Sequence, residues 1–322
     1  MARTSDVAAK PAPAGSAAAR AGRRAGRSTT IRGTEVRTAY LFVLPALLVY
    51  ALFMLFPFVT SIYYSFTSWD GVSLDLPFVG FENYTSMFDD GELFGAFRNN
   101  LVWIVVGTIA PVAIGLTLAL MLWTQKVGSL AFRTLYFLPY ITPVVIIGIV
   151  WGWIYNPLFG GLNKLLEFIG LDSLTRGWLG DPGTALAAVL VAAVWGAFGF
   201  VTLLLFAGLQ SVDLSLVEAA AIDGANWWQR ARHVIIPEIA PVLTLVTAIT
   251  LIGGFAVVDF VLIMTGGGPG TASQVLGLYA YKNGFQINKV GYGAAVSTVI
   301  TILTLVAAIA FVRLRERGRD GG

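Results

Sequence analysis

No cysteine occurs among the 322 residues, so disulfides and thiolate metal sites are excluded. Histidine is nearly as scarce: His233 stands alone, cannot build a histidine metal cluster, and reads as a polar residue on a helix surface. Charge is scarce too. Asp, Glu, Lys and Arg make up 12% of the chain, where a soluble domain carries about twice that fraction. A phosphate-cradling GxxxxGK[ST] loop needs a lysine directly after glycine, but Lys10, Lys126, Lys164, Lys282 and Lys289 follow Ala, Gln, Asn, Tyr and Asn. The chain therefore has no such ATP site. A membrane enzyme would want a nucleophile with a base, or a metal cluster, and one histidine without cysteine is weak support for either.

Apolar sequence is abundant instead, at 57% of residues. Roughly 20 uncharged apolar residues cross about 30 Å of hydrocarbon as a helix. Six gaps between consecutive charges are long and apolar enough: Arg37 to Asp70, Arg98 to Lys126, Arg133 to Lys164, Asp181 to Asp213, Glu238 to Asp259 and Lys289 to Arg313. The expected fold is all-α, a polytopic membrane protein with six transmembrane helices. An even number of crossings returns both termini to one side. With the N-terminus inside, only Arg98, Lys164, Arg176, Lys282 and Lys289 of the 21 Lys and Arg lie outside, so the basic bias of short loops puts both termini in the cytoplasm.

Residues 1–37 are rich in Ala, Arg, Gly and Pro and carry eight basic against two acidic side chains, which predicts a disordered cytoplasmic tail drawn to anionic lipid. Arg23-Arg24 precedes an apolar run, but the run from Ala39 exceeds the 7–15 residues of a signal core. Residues 38–94 hold the first span, with Pro45 and Pro57, and an outside loop whose charges are all acidic: Asp70, Asp75, Glu82, Asp89, Asp90 and Glu92. Spans two to six fall within 95–313, and 314–322 form a cytoplasmic C-terminal tail. The third span has Pro139 and Pro143 in its first half and Trp151, Trp153 and Tyr155 at its outer end, an interfacial belt. The fourth is full of Ala and Gly and belongs inside a bundle. The fifth runs from Pro237 to about Met264, and the glycine-rich TGGGPG that follows faces outside.

The inside loop at 210–236 contains "EAAAIDGANWWQRARHVII". Ser215 precedes Glu218, and Asn226 precedes Gln229, at the capping-box spacing. Gly224 lies between them, where a left-handed helix stop favours glycine. The reading is a short helix over 215–223, a turn at Gly224-Ala225, a second helix from Asn226, and a new helix start at Pro237. Two such short helices are marginal alone and need a surface to pack on.

This loop resembles the EAA loop of bacterial ABC importer membrane subunits in the form used for sugars. Glu218-Ala219-Ala220, Gly224 and Pro237 carry the likeness, with Val234 and Ile236 where isoleucine and leucine are usual. "FRTLYFLPYITPVV", "WLGDP" and "MTGGGPGTASQVLGLYAYKNGF" extend it to the carbohydrate-uptake permeases of the maltose and glycerol-3-phosphate type. The resemblance implies that the last five helices form a transport core. It also implies that Glu218, Ala219, Ala220, Asp223, Gly224 and Ala225 couple the chain to a separate dimer of ATP-binding subunits. ATP and magnesium would then be bound by that partner, with no cofactor on this chain. A second, different permease subunit, an extracytoplasmic solute-binding protein and a sugar-type solute complete the implied assembly in a bacterial plasma membrane.

Polar Asn100, Thr202 and Thr250, aromatic Trp195 and Phe255, and Asp259, the one charge inside the span limits, are the candidates for lining the solute path. The runner-up reading is a secondary transporter driven by an ion gradient. It would show buried ionisable relays and related halves. No nucleic-acid partner is expected.

Overall fold

The computed structural model describes residues 33–124 and 129–320 and divides the chain into two compact units, Met1–Pro57 and Phe58–Gly322. Most of the expected disordered tail, 1–32, lies outside the described residues. Residues 33–37, assigned to that tail, already belong to a helix. The first span starts as α1 (Gly33–Tyr50), passes through a π-helical turn at Ala51–Leu55 and ends as α2 (Phe56–Tyr64). Pro45 and the extra residue of the π turn are accommodated without ending the helix, because a lost bond at one turn is bridged by its neighbours.

In the second unit α3 (Gly91–Thr124) is a 34-residue helix that starts seven residues before Arg98, so Glu92 and Arg98 lie on its first turns rather than beyond it. Asp90 explains the early start. Its Oδ1 accepts the amides of Glu92 and Leu93, both at 3.0 Å, capping the helix end. Its Oδ2 accepts the hydroxyls of Tyr292, at 2.8 Å, and Tyr279.

The third span is two helices, α4 (Ser129–Ile141) and α5 (Val144–Ile154), and the angle between the 134–141 and 144–154 segments is 101°. The two prolines of its first half thus meet a single sharp break. Pro139 stays inside α4, whereas Pro143 is extended at φ −56° and ψ 139°, and the residue before a proline is driven out of the helical region. After α6 (Gly161–Phe168), the fourth span is the continuous α7 (Ala185–Leu209). Its small residues let α3 and α4 pack directly on it. A Cβ on Gly199 would fall 1.9 Å from the Tyr136 carbonyl oxygen, so α4 and α7 can approach this closely only through glycine.

Beyond α8 (Leu214–Ile222) and α9 (Trp227–Arg230), the chain turns through a π-helical Ala231–Ile235 and the short Ile236–Glu238. It then bends by 75° into α10 (Ala240–Phe255). Pro237 stands in the first turn of the short Ile236–Glu238 helix, as expected at the base of the fifth span, and Pro241 takes the same place in α10, where a missing amide hydrogen costs nothing. The span also stops early, at Phe255, and a separate α11 (Asp259–Met264) follows three residues later. The chain closes with α12 (Leu276–Tyr281) and α13 (Val290–Asp320). The last helix continues through 314–320, which had been assigned to the tail.

Among the described residues four helices are long and apolar enough to cross a membrane, or up to six if each bent pair is one span. The chain is an all-helical multi-pass membrane protein, with no strand longer than an isolated Thr67–Phe78 bridge among the described residues. Among the described residues the core includes an apolar cluster around Leu205, Leu209, Ile235 and Ile239 at the loop end of α7, another around Trp103, Val189 and Leu278 toward the other end, and a third around Leu276, Tyr279 and Val296.

Candidate functional site: an exposed helix pair and a lateral cavity

At the C-terminal end of α7, the helix pair α8–α9 is set by local hydrogen bonds. Asn226 and Gln229 form the expected reciprocal box: the Asn226 amide donates to Gln229 Oε1 at 2.7 Å, and the Gln229 amide donates to Asn226 Oδ1 at 3.0 Å. Gly224 adopts φ +85°. The Gly224 amide donates to Ala221 and the Ala225 amide to Ala220, at 3.1 and 3.0 Å, the paired bonds of a Schellman stop.

The other expected box does not form. Asp213, two residues before Ser215, caps α8 by accepting the Ser215 amide at 2.9 Å, and Ser215 lies inside the helix. A carboxylate gives a charge-assisted bond and faces the positive helix end, so it outcompetes the serine hydroxyl. Hydrogen bonds from the Ser215 side chain and amide hold the Asp213 carboxyl below its ordinary value.

No residue of α8 is buried. Val217 packs against the cluster at the end of α7, and so does Trp227 of α9. Leu214, Leu216, Glu218, Ala219, Asp223, Gly224 and Trp228 are exposed, and Ile222 is 87% exposed. Ala220 and Ala225 are half-buried. An isolated nine-residue helix that shows three large aliphatic side chains to water is costly unless a partner covers it.

The second feature is a cavity of about 1000 Å³ along the flanks of α3 and α7. Trp151, Trp195 and Phe198 supply aromatic wall, Arg98 and Asn99 the polar side, and Thr271 and Ala272 reach it from the glycine-rich turn. Asn99 Nδ2 donates to the carbonyl oxygens of Ala272 and Gln274, at 3.0 and 2.9 Å, which pins that turn beside the cavity. A site with aromatic faces and a few directed polar groups can hold a small polar solute with apolar ring faces.

Of the six path candidates, only Trp195 lines this cavity. Asn100 is buried, donating to the Gly254 carbonyl and accepting the Leu276 amide, both at 3.3 Å, and so staples α3 to α10 and α12. Thr202 is buried with its hydroxyl on the Phe198 carbonyl at 2.8 Å. Thr250 likewise donates to Thr247 within α10 at 3.0 Å. Phe255 packs against the cluster of Leu276 and Tyr279. Asp259 is an exposed first residue of α11, not a charge within a continuous span. Sequence reasoning missed Arg98 and Asn99 because they stood at the predicted edge of the span. The run "RNN" directly before an apolar stretch was their only signal.

A model of the family described as binding-protein-dependent transport system inner membrane component matches residues 111–319. The chain is 36% identical over 283 residues to "Probable ABC transporter permease protein YurN" of Bacillus subtilis (strain 168), covering 87% of this chain and 97% of that protein. It is 33% identical over 318 residues to "Diacetylchitobiose uptake system permease protein NgcF" of Streptomyces coelicolor, covering 95% and 89%. In fold it is similar to a chain of the solved bacterial ABC transporter involved in import of the acidic polysaccharide alginate. The TM-score is 0.78 and the identity 22%, over 88% of this chain and 96% of that one. These matches show that the chain belongs to the binding-protein-dependent transport system inner membrane components, the permease subunits of ABC importers.

Proposed function

We propose that this permease forms part of the path for a sugar or polyol-type solute and is driven by a separate pair of ATP-binding subunits that dock on α8. The observation that carries the coupling is the α8 surface, apolar, exposed on every turn and rigidly capped at both ends. The sugar class rests on relatives such as the diacetylchitobiose uptake permease, together with the Trp151, Trp195 and Phe198 wall of the cavity. In this reading α8 and both termini face the cytoplasm, as the basic bias of the loops requires. ATP and magnesium belong to the docked subunits. A second, different permease subunit and an extracytoplasmic solute-binding protein complete the assembly in a bacterial plasma membrane. Glu218, Ala219, Ala220, Asp223, Gly224 and Ala225 are the coupling residues. Ion-gradient transport is disfavoured, since Asp259 is exposed rather than part of a buried relay.

Co-purification tests it. The ATPase should accompany the permease, and uptake into vesicles should follow ATP and not a proton or sodium gradient. Gly224→Asp should leave the protein inserted and abolish solute-stimulated ATP hydrolysis; uptake persisting with the ATPase absent would overturn the reading.

A further inference from the structure

The helix α6 is amphipathic in the unexpected sense. Its polar Asn163 is 5% exposed and turned inward, while Phe168, and Leu158 just before the helix, are each 88% exposed. Asn163 is held there by bonds across the loop: its Nδ2 donates to the Arg176 carbonyl at 3.0 Å, and its Oδ1 accepts the Trp178 indole Nε1 at 2.8 Å. Gly161, Lys164, Leu165 and Phe168 stand at i, i+3, i+4 and i+7, a single stripe on the other face, and Glu167 lies off it. Leu165 and Phe168 favour hydrocarbon over water, and the Lys164 ammonium reaches from the same stripe to the headgroups, the pattern of a helix lying in the interface.

Beside the stripe lies a groove of about 480 Å³, bounded by Gly161 and Leu165 of α6, Trp151 and Ile154 of α5, Trp178, and Val191 of α7. Two cations flank it. Lys164 stands on the stripe itself, and the Arg176 guanidinium lies over the Trp178 ring, 5.5 Å from its centroid. Both are exposed. The lining itself carries no charge; Lys164 is next to its Leu165 wall in the chain and Arg176 stacks on its Trp178 wall, so an apolar slot with cations at its rim complements a molecule that joins an acyl chain to a phosphate.

We infer that α6 lies in the membrane interface and that its groove holds one acyl chain of an anionic glycerophospholipid, whose headgroup phosphate sits between Lys164 and Arg176. The site is separate from the coupling surface. It lies at the N-terminal end of α7, whose 25 residues at about 1.5 Å each set it roughly a membrane thickness from α8. Trp151 and Val191 belong to both this groove and the larger cavity, so the lipid would back one wall of the solute path.

The complete transporter, reconstituted in nanodiscs with a phosphatidylglycerol carrying a diazirine on its acyl chain, tests this by irradiation and mass-spectrometric mapping of adducts. Adducts should concentrate on Leu165, Trp178 and Val191. Gly161→Leu should reduce them to background, since a Cβ at Gly161 meets nothing within 4 Å and the larger side chain can grow into the groove. Lys164→Gln and Arg176→Gln should each lower labelling, by up to about fivefold, the upper worth of one exposed ion pair. They carry the test alone if Gly161→Leu does not assemble. Adducts spread evenly over the spans, labelling unchanged in these variants, or cross-linking of Leu165 to a helix of the second permease in place of lipid would each overturn the inference.

Discussion

Gly224 separates the folding of the coupling loop from its docking. At φ +85° an L side chain is strained, yet a Cβ there meets nothing within 4 Å, so the obstacle within the chain is conformational and not steric. Asn visits this region readily and a β-branched residue does not. Gly224→Asn should therefore keep the Ala225 amide protected in hydrogen exchange while lowering solute-stimulated ATP hydrolysis, because the added side chain meets only what docks. Gly224→Val should lose both. Two residues on, Asn226→Ala removes one arm of the reciprocal box and should destabilise α9 by about 1 kcal/mol, read as faster exchange of the Gln229 amide. Glu218→Ala should leave α8 intact, since Asp213 and not the Ser215–Glu218 pair caps that helix.

Between elements, contact depends on atoms that local patterns do not display. Gly199→Ala should push α4 from α7 and cost about 1–3 kcal/mol, lowering the thermal midpoint of the purified complex, whereas Gly152→Ala, with open space at its Cβ, should not. Asp90 joins α3, α12 and α13 at one carboxylate. Burial opposes its ionisation, but the Tyr279 hydroxyl, the Leu93 amide, the Tyr292 hydroxyl and the Glu92 amide together hold it below its ordinary value of 3.8. A depressed folded value means the stabilisation is complete above pH 3.8 and is lost as pH falls through the folded value. Asp90→Asn should thus lower the melting midpoint equally across neutral and mildly acid pH, and the gap to the unaltered protein should close only in strong acid. The apolar run lengths and the Asn226–Gln229 box were legible because both are contained in one stretch of chain. The early end of α10 was not, for no proline marks residues 256–258. The inward turn of Asn100 was equally hidden, while Asn99 one step away faces the cavity. Helix rotation about its axis is decided by distant partners, here Gly254, Leu276 and the 271–274 turn.

For the whole molecule, the orientation in the membrane decides whether an ATPase can reach α8 at all. The absence of cysteine makes this measurable on the chain purified after labelling, since a single introduced thiol is the only one in these 322 residues. Leu74, 97% exposed in the loop after the first span, and Ile222, 87% exposed on α8, report on the two ends of the bundle. In intact cells a membrane-impermeant maleimide should label Leu74→Cys and leave Ile222→Cys untouched. After permeabilisation Ile222→Cys should react in membranes stripped of peripheral proteins and be protected when the ATPase is restored, because a partner groove that accepts α8 must cover its aliphatic face. Labelling of Ile222→Cys in intact cells would put the helix pair on the wrong side for any cytoplasmic motor. Equal reactivity with and without the ATPase would leave the exposed leucines and isoleucine of α8 facing something else, and the coupling would have to run through another surface.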